Sequence, residues 1–206
     1  MNFSAWLMIF VSAENWISFH ERSVKDGISL VTMLEDFLMW HEKIEVKKGD
    51  LGEKIVDAYL NSKNMVVYST NYNGAHPFDR LLSLPDKSQL FIADIKTKPG
   101  RLYYPDTGIN IKHFKEYIHI QNLHNIKVFL FFVDQVKEKI YGNFLHELVK
   151  PYEIEHNDKI IKYPLESSGI IYFPLFNMRN ICDLTQDYVN DLKRLSSGRY
   201  SYDKDE

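Results

Sequence analysis

The spacing of hydrophobic residues changes several times along the chain, and each change marks an element. Leu30, Met33, Leu34, Phe37, Leu38 and Ile44 recur at helical intervals and predict an amphipathic helix over 29–46. Asp50, followed three residues later by Glu53, has the form of a capping box. A helix is expected from there through Ile55, Val56, Tyr59 and Leu60, stopping near 61–64. Residues 65–70 are rich in β-branched side chains and read as a strand, and 71–77 are turn-rich. Two strands, 78–84 and 89–97, flank the turn signal Pro85-Asp86-Lys87-Ser88. Residues 107–123 read as a helix on Ile109, Phe114, Tyr117, Ile118 and Ile120, and 127–133 form an unbroken buried-strand run. A short strand at 140–141, a short helix at 144–149, a strand at 169–173 and a helix at 181–195 complete the pattern. The order, helix, three strands, helix, strand and mixed additions, predicts an α/β fold with a central mixed sheet flanked by helices.

Composition narrows this little. Apolar residues make up 45% and charged residues 26% of 206, which suits a globular domain with a real core. No linker or repeat interrupts the chain. We divide it into a mainly helical N-terminal extension, 1–48, and a domain over 49–206. Trp6, Trp16 and Trp40 suit packing or an interface in the extension. The net charge of −3 argues against a protein that simply coats nucleic acid, although basic residues cluster at Lys47-Lys48, Lys96-Lys98-Arg101 and Lys112-Lys115. The single cysteine, Cys182, excludes an intramolecular disulfide and reads as a small buried hydrophobe. Residues 3–11 are apolar but far short of the about 20 needed to span a bilayer, and no basic leader precedes them. A soluble cytoplasmic protein is expected, with no membrane partner.

The chemistry concentrates in His76-Pro77-Phe78-Asp79 and Ile92-Ala93-Asp94-Ile95-Lys96. Alternate residues of a strand share a face, so Asp94 and Lys96 project together. If Pro85–Ser88 is the hairpin loop, Leu84 pairs with Gln89 and the same register sets Asp79 opposite Asp94. Their Cβ atoms would lie about 4.5–5.5 Å apart, an arrangement that destabilises unless a positive charge sits between them. A divalent cation answers that need, while a shift of one residue would break the pairing. Hard cations such as Mg²⁺ take carboxylate oxygens and retain water, and they activate that water and polarise phosphoryl oxygens. The competing reading is an exposed hairpin with a surface Asp–Lys pair, worth little energetically.

These residues resemble the PD-(D/E)XK nuclease superfamily, which includes restriction endonucleases and Holliday-junction resolvases. Asp79 matches the family's first acid, with Phe78 inserted after the motif proline Pro77. Asp94-Ile95-Lys96 matches its acidic-x-Lys element, and Glu53 its upstream helical acid. The resemblance extends over about residues 49–195 and implies a restriction-endonuclease-like core. It also implies that Asp79, Asp94 and Glu53 hold Mg²⁺, with Mn²⁺ as the substitute ion. Lys96 would assist attack of water on a phosphodiester, with catalysis carried by Glu53, Asp79, Asp94 and Lys96 together.

Several residues keep two readings. Glu53 has the capping-box explanation as well as the metal one. Lys98, Arg101 and Tyr103 follow the active strand as basic and aromatic neighbours suited to phosphates and bases, or as a solvated loop. Lys112 and His113 lie on the next helix as phosphate contacts, or as an exposed amphipathic face. His76 is a turn histidine or a further metal ligand. No GxxxxGK[ST], CxxC or GxSxG pattern occurs and nothing local pairs Cys182 with a histidine, which disfavours an ATP-driven enzyme or a thiol protease. The expectation is a Mg²⁺-dependent nuclease acting on DNA, with the N-terminal helix as a candidate homodimer surface. The alternative is a non-catalytic module of the same fold that binds nucleic acid or assembles with protein.

Overall fold

The computed structural model of the chain describes Ser29, residues 43–69 and residues 77–196. Most of the helix expected over 29–46, the turn-rich run before Pro77, and His76 lie outside them. The chain divides into two compact units, residues 1–47 and 48–206. A helix that begins at Ile44 leads into the second.

That helix, α1 (Ile44–Ser62), is followed by β1 (Val66–Ser69), β2 (Arg80–Ser83), β3 (Leu90–Thr97), β4 (Asp106–Asn110), α2 (Ile111–His124) and β5 (Lys127–Asp134). Next come β6 (Lys139–Phe144), α3 (Leu145–Leu148), β7 (Tyr152–His156), β8 (Lys159–Tyr163), β9 (Leu165–Ser167), β10 (Ile170–Pro174), β11 (Arg179–Asp183) and α4 (Gln186–Ser196). Six strands form the central sheet in the order β1-β2-β3-β5-β6-β11. β3 and β5 run parallel and the remaining neighbours antiparallel, so the sheet is mixed.

Both faces are covered, which is why β5 is apolar almost throughout. Phe129, Phe131 and Val133 pack with Ile55, Val56 and Leu60 of α1 and Leu192 of α4. Val128, Leu130 and Phe132 pack with Tyr117 of α2, Leu145 and Leu148 of α3, and Ile109, Ile171 and Phe173. The last three belong to a second sheet, β4-β10-β9, while β7 and β8 form a separate hairpin. A central mixed sheet flanked by helices is therefore the architecture. Among the described residues no helix is long and apolar enough to cross a membrane.

Three expectations about elements are corrected. α1 begins at Ile44, so Asp50 lies inside it and is no N-cap; the capping-box explanation of Glu53 falls with it. Residues 106–110 are a strand where a helix was expected, because Gly108 lets β4 lie tight against β10. A Cβ there would come within 2.2 Å of the Ile171 carbonyl oxygen. The helix starts only where the Asn110 side chain accepts the Lys112 N–H. Residues 179–183 are likewise a strand, paired with β6 through a bulge between Asn180 and Cys182, and α4 starts at Gln186.

Candidate active site

The hairpin β2–β3 has the register that its turn predicts. Leu84 N donates to Gln89 O at 3.1 Å, and Lys87 N to Leu84 O at 2.9 Å. Ser83 pairs with Leu90, and Arg80 with Ala93. Asp79 lies just beyond the end of β2. Its N–H donates to Ala93 O at 3.1 Å, so Asp79 and Arg80 both face Ala93, as at a bulge, and Asp79 does not pair directly with Asp94 as the register alone predicted. Its carboxylate turns inward, where Oδ2 accepts the Ile95 N–H at 2.6 Å. That oxygen occupies the place of the carbonyl that a continuing strand would have offered.

Asp94 projects from the middle of the sheet and is only 2% exposed. Lys96 Nζ stands 2.8 Å from Asp94 Oδ2 as an ion-pair neighbour. No donor is aligned on that buried oxygen in hydrogen-bond geometry. Tyr117 of α2 shares a side-chain hydrogen bond with Asp94, and burial followed by the Asp94 charge pushes its phenol well up. His113 lies one turn earlier, its ring centroid 6.2 Å from that of Tyr117. Burial and then the charge of Lys96 hold the His113 imidazole below its usual range.

Burial and the neighbouring Asp94 charge push Asp79 up to about 6; the Ile95 N–H, Lys96 and Arg80 offset part of this. Glu53 is also raised, by burial and by Asp79, with Arg80 opposing. Arg80 is the counter-cation on this side. It makes two 2.9 Å bonds to Asp57 and stands 3.0 Å from Glu53 Oε2. Its remaining nitrogen donates to Asp79 O at 2.8 Å. Gly52 sets the distance of α1 from the sheet: a Cβ there would fall 1.7 Å from Thr97 Oγ1. Without that close approach Glu53 would stand away from the end of the hairpin.

Glu53, Asp79, Asp94 and Lys96 are thus brought to one end of β2–β3, with His113 within reach of their charges. Lys98 shares the strand face of Lys96, and burial and then Lys96 depress its ammonium, with Asp106 opposing. Arg101 is used differently from the sequence expectation. It forms a double ion pair with buried Asp106 and lies between the rings of Tyr104 and Tyr172, 4.1 and 3.8 Å from their centroids. Tyr103 is 75% exposed, and Lys112 is exposed on the first turn of α2. Sequence reasoning overlooked Arg80 and Tyr117. Adjacency to Asp79 and the four-residue step from His113 were the available signals. Among the described residues no three His, Cys, Asp or Glu side chains gather as a metal cage.

No family model matches the chain, and no curated relative matches it. Among solved structures it is similar to Hjc, a Holliday junction resolvase from the archaeal hyperthermophile Archaeoglobus fulgidus. The TM-score is 0.42 at 8% identity, over 63% of this chain and 90% of that chain. A likeness of that degree leaves the assignment to the residues themselves.

Proposed function

We propose that the chain is a metal-dependent nuclease of the PD-(D/E)XK type that hydrolyses phosphodiester bonds in DNA. The observation that carries this reading is the buried Asp94, ion-paired to Lys96, with the half-buried Asp79 near enough for the two carboxylate charges to oppose each other. Burying like charges is costly, and a fold without use for them gains by replacing them.

The donor set fits a hard divalent ion. Mg²⁺ is commonly held by one or two carboxylates and keeps several waters, so a cage of three side chains is not required. Asp79 and Asp94 would hold Mg²⁺ or Mn²⁺, with Glu53 joining or orienting the shell once released from Arg80. The ion would supply a water of lowered pKa and polarise the phosphoryl oxygens. Lys96 stabilises negative charge developing on the phosphate, and Tyr117 keeps Asp94 in place. Lys98, Lys112 and His113 supply flanking contacts to the nucleic acid. We place the activity in the cytoplasm, with a homodimer as the form that cuts both strands.

Arg80's hold on Glu53 and Asp57 favours a second reading, a non-catalytic nucleic-acid-binding or assembly module. Cleavage of supercoiled plasmid and single-stranded DNA in Mg²⁺, Mn²⁺ or EDTA separates the two. We expect metal-dependent cutting, reduced by about 10²-fold or more in Asp94→Asn and Lys96→Ala with the fold retained. Unchanged cutting in either variant would sink the site assignment. If the wild type cuts nothing and its carboxylates bind no Mg²⁺, the module reading stands.

A further inference from the structure

Arg80 is a cation of the site that cannot step aside. Its side chain is 12% exposed and sits between α1 and the end of β2. Nε and Nη2 each bond the Asp57 carboxylate at 2.9 Å, a paired geometry that the planar guanidinium holds rigidly. Nη1 donates to Asp79 O at 2.8 Å, and Nη2 also reaches Glu53 Oε2 at 3.0 Å. Glu53 and Asp57 lie four residues apart on α1 and so share a face of the helix. If Glu53 turns toward an ion on Asp79 and Asp94, the bonds to Asp57 and to Asp79 O remain and Arg80 keeps its place. A guanidinium also holds its proton at any working pH. Lys96 differs. Its side chain is 25% exposed and pairs with Asp94 at the end of a flexible stem, so it can swing away from an arriving ion.

Two features limit how many metal ions such a cluster accepts. A second ion beside the first would have to use the carboxylates that an ion on Asp79 and Asp94 leaves over. Those are Glu53 and Asp57, and the guanidinium already stands on both. The Asp79 charge opposes that of Glu53, and Arg80 offsets the burden on both carboxylates. The charge balance agrees. Glu53, Asp57, Asp79 and Asp94 meet two side-chain cations, Arg80 and Lys96. A single divalent ion therefore brings the cluster to neutrality, and a second would leave it doubly positive in a half-buried setting where like charges repel strongly.

We propose that Arg80, anchored by Asp57, is a built-in cation in the place of a second metal ion, so that the site takes one divalent ion per chain. The inference rests on the nuclease reading for the presence of a metal. It adds Arg80 and Asp57 to the residues that shape the site and fixes a metal count which the donor set alone leaves open.

The test is Mn²⁺ binding to the full-length protein without nucleic acid, followed by calorimetry and by EPR. The titration runs to about 1 mM, where sites of submillimolar affinity fill. Wild type should bind one Mn²⁺ with the spectrum of an isolated ion, and Asp94→Asn should lose it. Arg80→Gln should bind two, close enough to broaden each other's EPR signal. Arg80→Lys, which keeps the charge, should return to one, and so should Arg80→Gln/Glu53→Gln, which removes a carboxylate the second ion needs. Arg80→Gln/Asp57→Asn removes the guanidinium together with the carboxylate it bonds twice. It should also bind two, and it covers the case in which Arg80→Gln alone leaves Asp57 unpaired and unfolds the chain. Two coupled ions in wild type, or a single ion in both variants that lack the guanidinium and keep Glu53, would overturn the inference and leave the nuclease reading standing. A wild type that binds no Mn²⁺, or whose ion survives Asp94→Asn, would sink the nuclease site and this inference with it.

Discussion

Asp79 works against the fold that holds it. Its carboxyl titrates near 3.8 in an unfolded chain and about 6 in the folded one, because burial and Asp94 both oppose its charge. The folded chain therefore binds the proton more tightly, and ionisation costs stability. The cost is absent below about pH 4, grows between pH 4 and 6, and is complete above pH 6. The shift corresponds to at most about 3 kcal/mol, and the Ile95 N–H bond to a neutral amide returns less than to a carboxylate by about 1 kcal/mol. Asp79→Asn should therefore be more stable than wild type by about 1–2 kcal/mol at pH 7.5 in EDTA, with no gain at pH 4. Urea melts across that range read it directly. A wild type more stable at pH 7.5 would show that Ile95 and Lys96 already neutralise the carboxylate. Mg²⁺ should raise the Tm of wild type and leave that of Asp79→Asn unmoved, as expected if the ion supplies the missing charge.

At the scale of elements, the closest constraint is between α1 and β3. Replacing Gly52 by Ala drives a methyl into Thr97 Oγ1, which is buried and cannot swing into solvent. The helix must move outward, carrying Glu53 with it. Gly52→Ala should cost about 1–3 kcal/mol in stability. Thr97→Ala should recover part of that loss, since its Cβ would still press on residue 52 at 2.9 Å. Full stability in Gly52→Ala alone would show that α1 is not pinned there. This contact explains what the sequence could and could not disclose. The β2–β3 register was legible because a four-residue turn fixes it locally, and the apolar run of β5 signalled burial on two faces. β4 was misread because residues 107–110 run straight into the helical run of Phe114, Tyr117 and Ile118, and only distant β10 settles the choice. The capping box at Asp50 failed because α1 continues upstream through Lys48, which is 7% exposed. The β7–β8 hairpin was overlooked although Asn157 and Asp158, both at positive φ, are apt residues for a primed turn. Its strands are too exposed to show a clean alternation.

For the whole molecule, the question is where the working unit begins. The sequence suggested 48/49 and the compact units divide at 47/48, a point that lies within α1. A chain starting at residue 49 would lose the first turn of α1 and the buried stem of Lys48. It would also cut the helix that carries Gly52 and Glu53. A chain of residues 43–206 keeps α1 entire, and all of the carboxylates, Arg80 and Tyr117 are within it. We expect this longer chain to melt cooperatively and to retain metal-dependent cutting within about threefold of the full protein, a change of under 1 kcal/mol in transition-state stabilisation. The chain starting at 49 should be less stable by more than about 1 kcal/mol, since a helix of one turn fewer loses its packed end. Melting curves and plasmid cleavage on the three chains decide this. Should 43–206 fold but cease to cut, the apolar stripe from Leu30 to Ile44 would be part of the active assembly. Sedimentation of the full chain would then have to show a dimer that 43–206 cannot form.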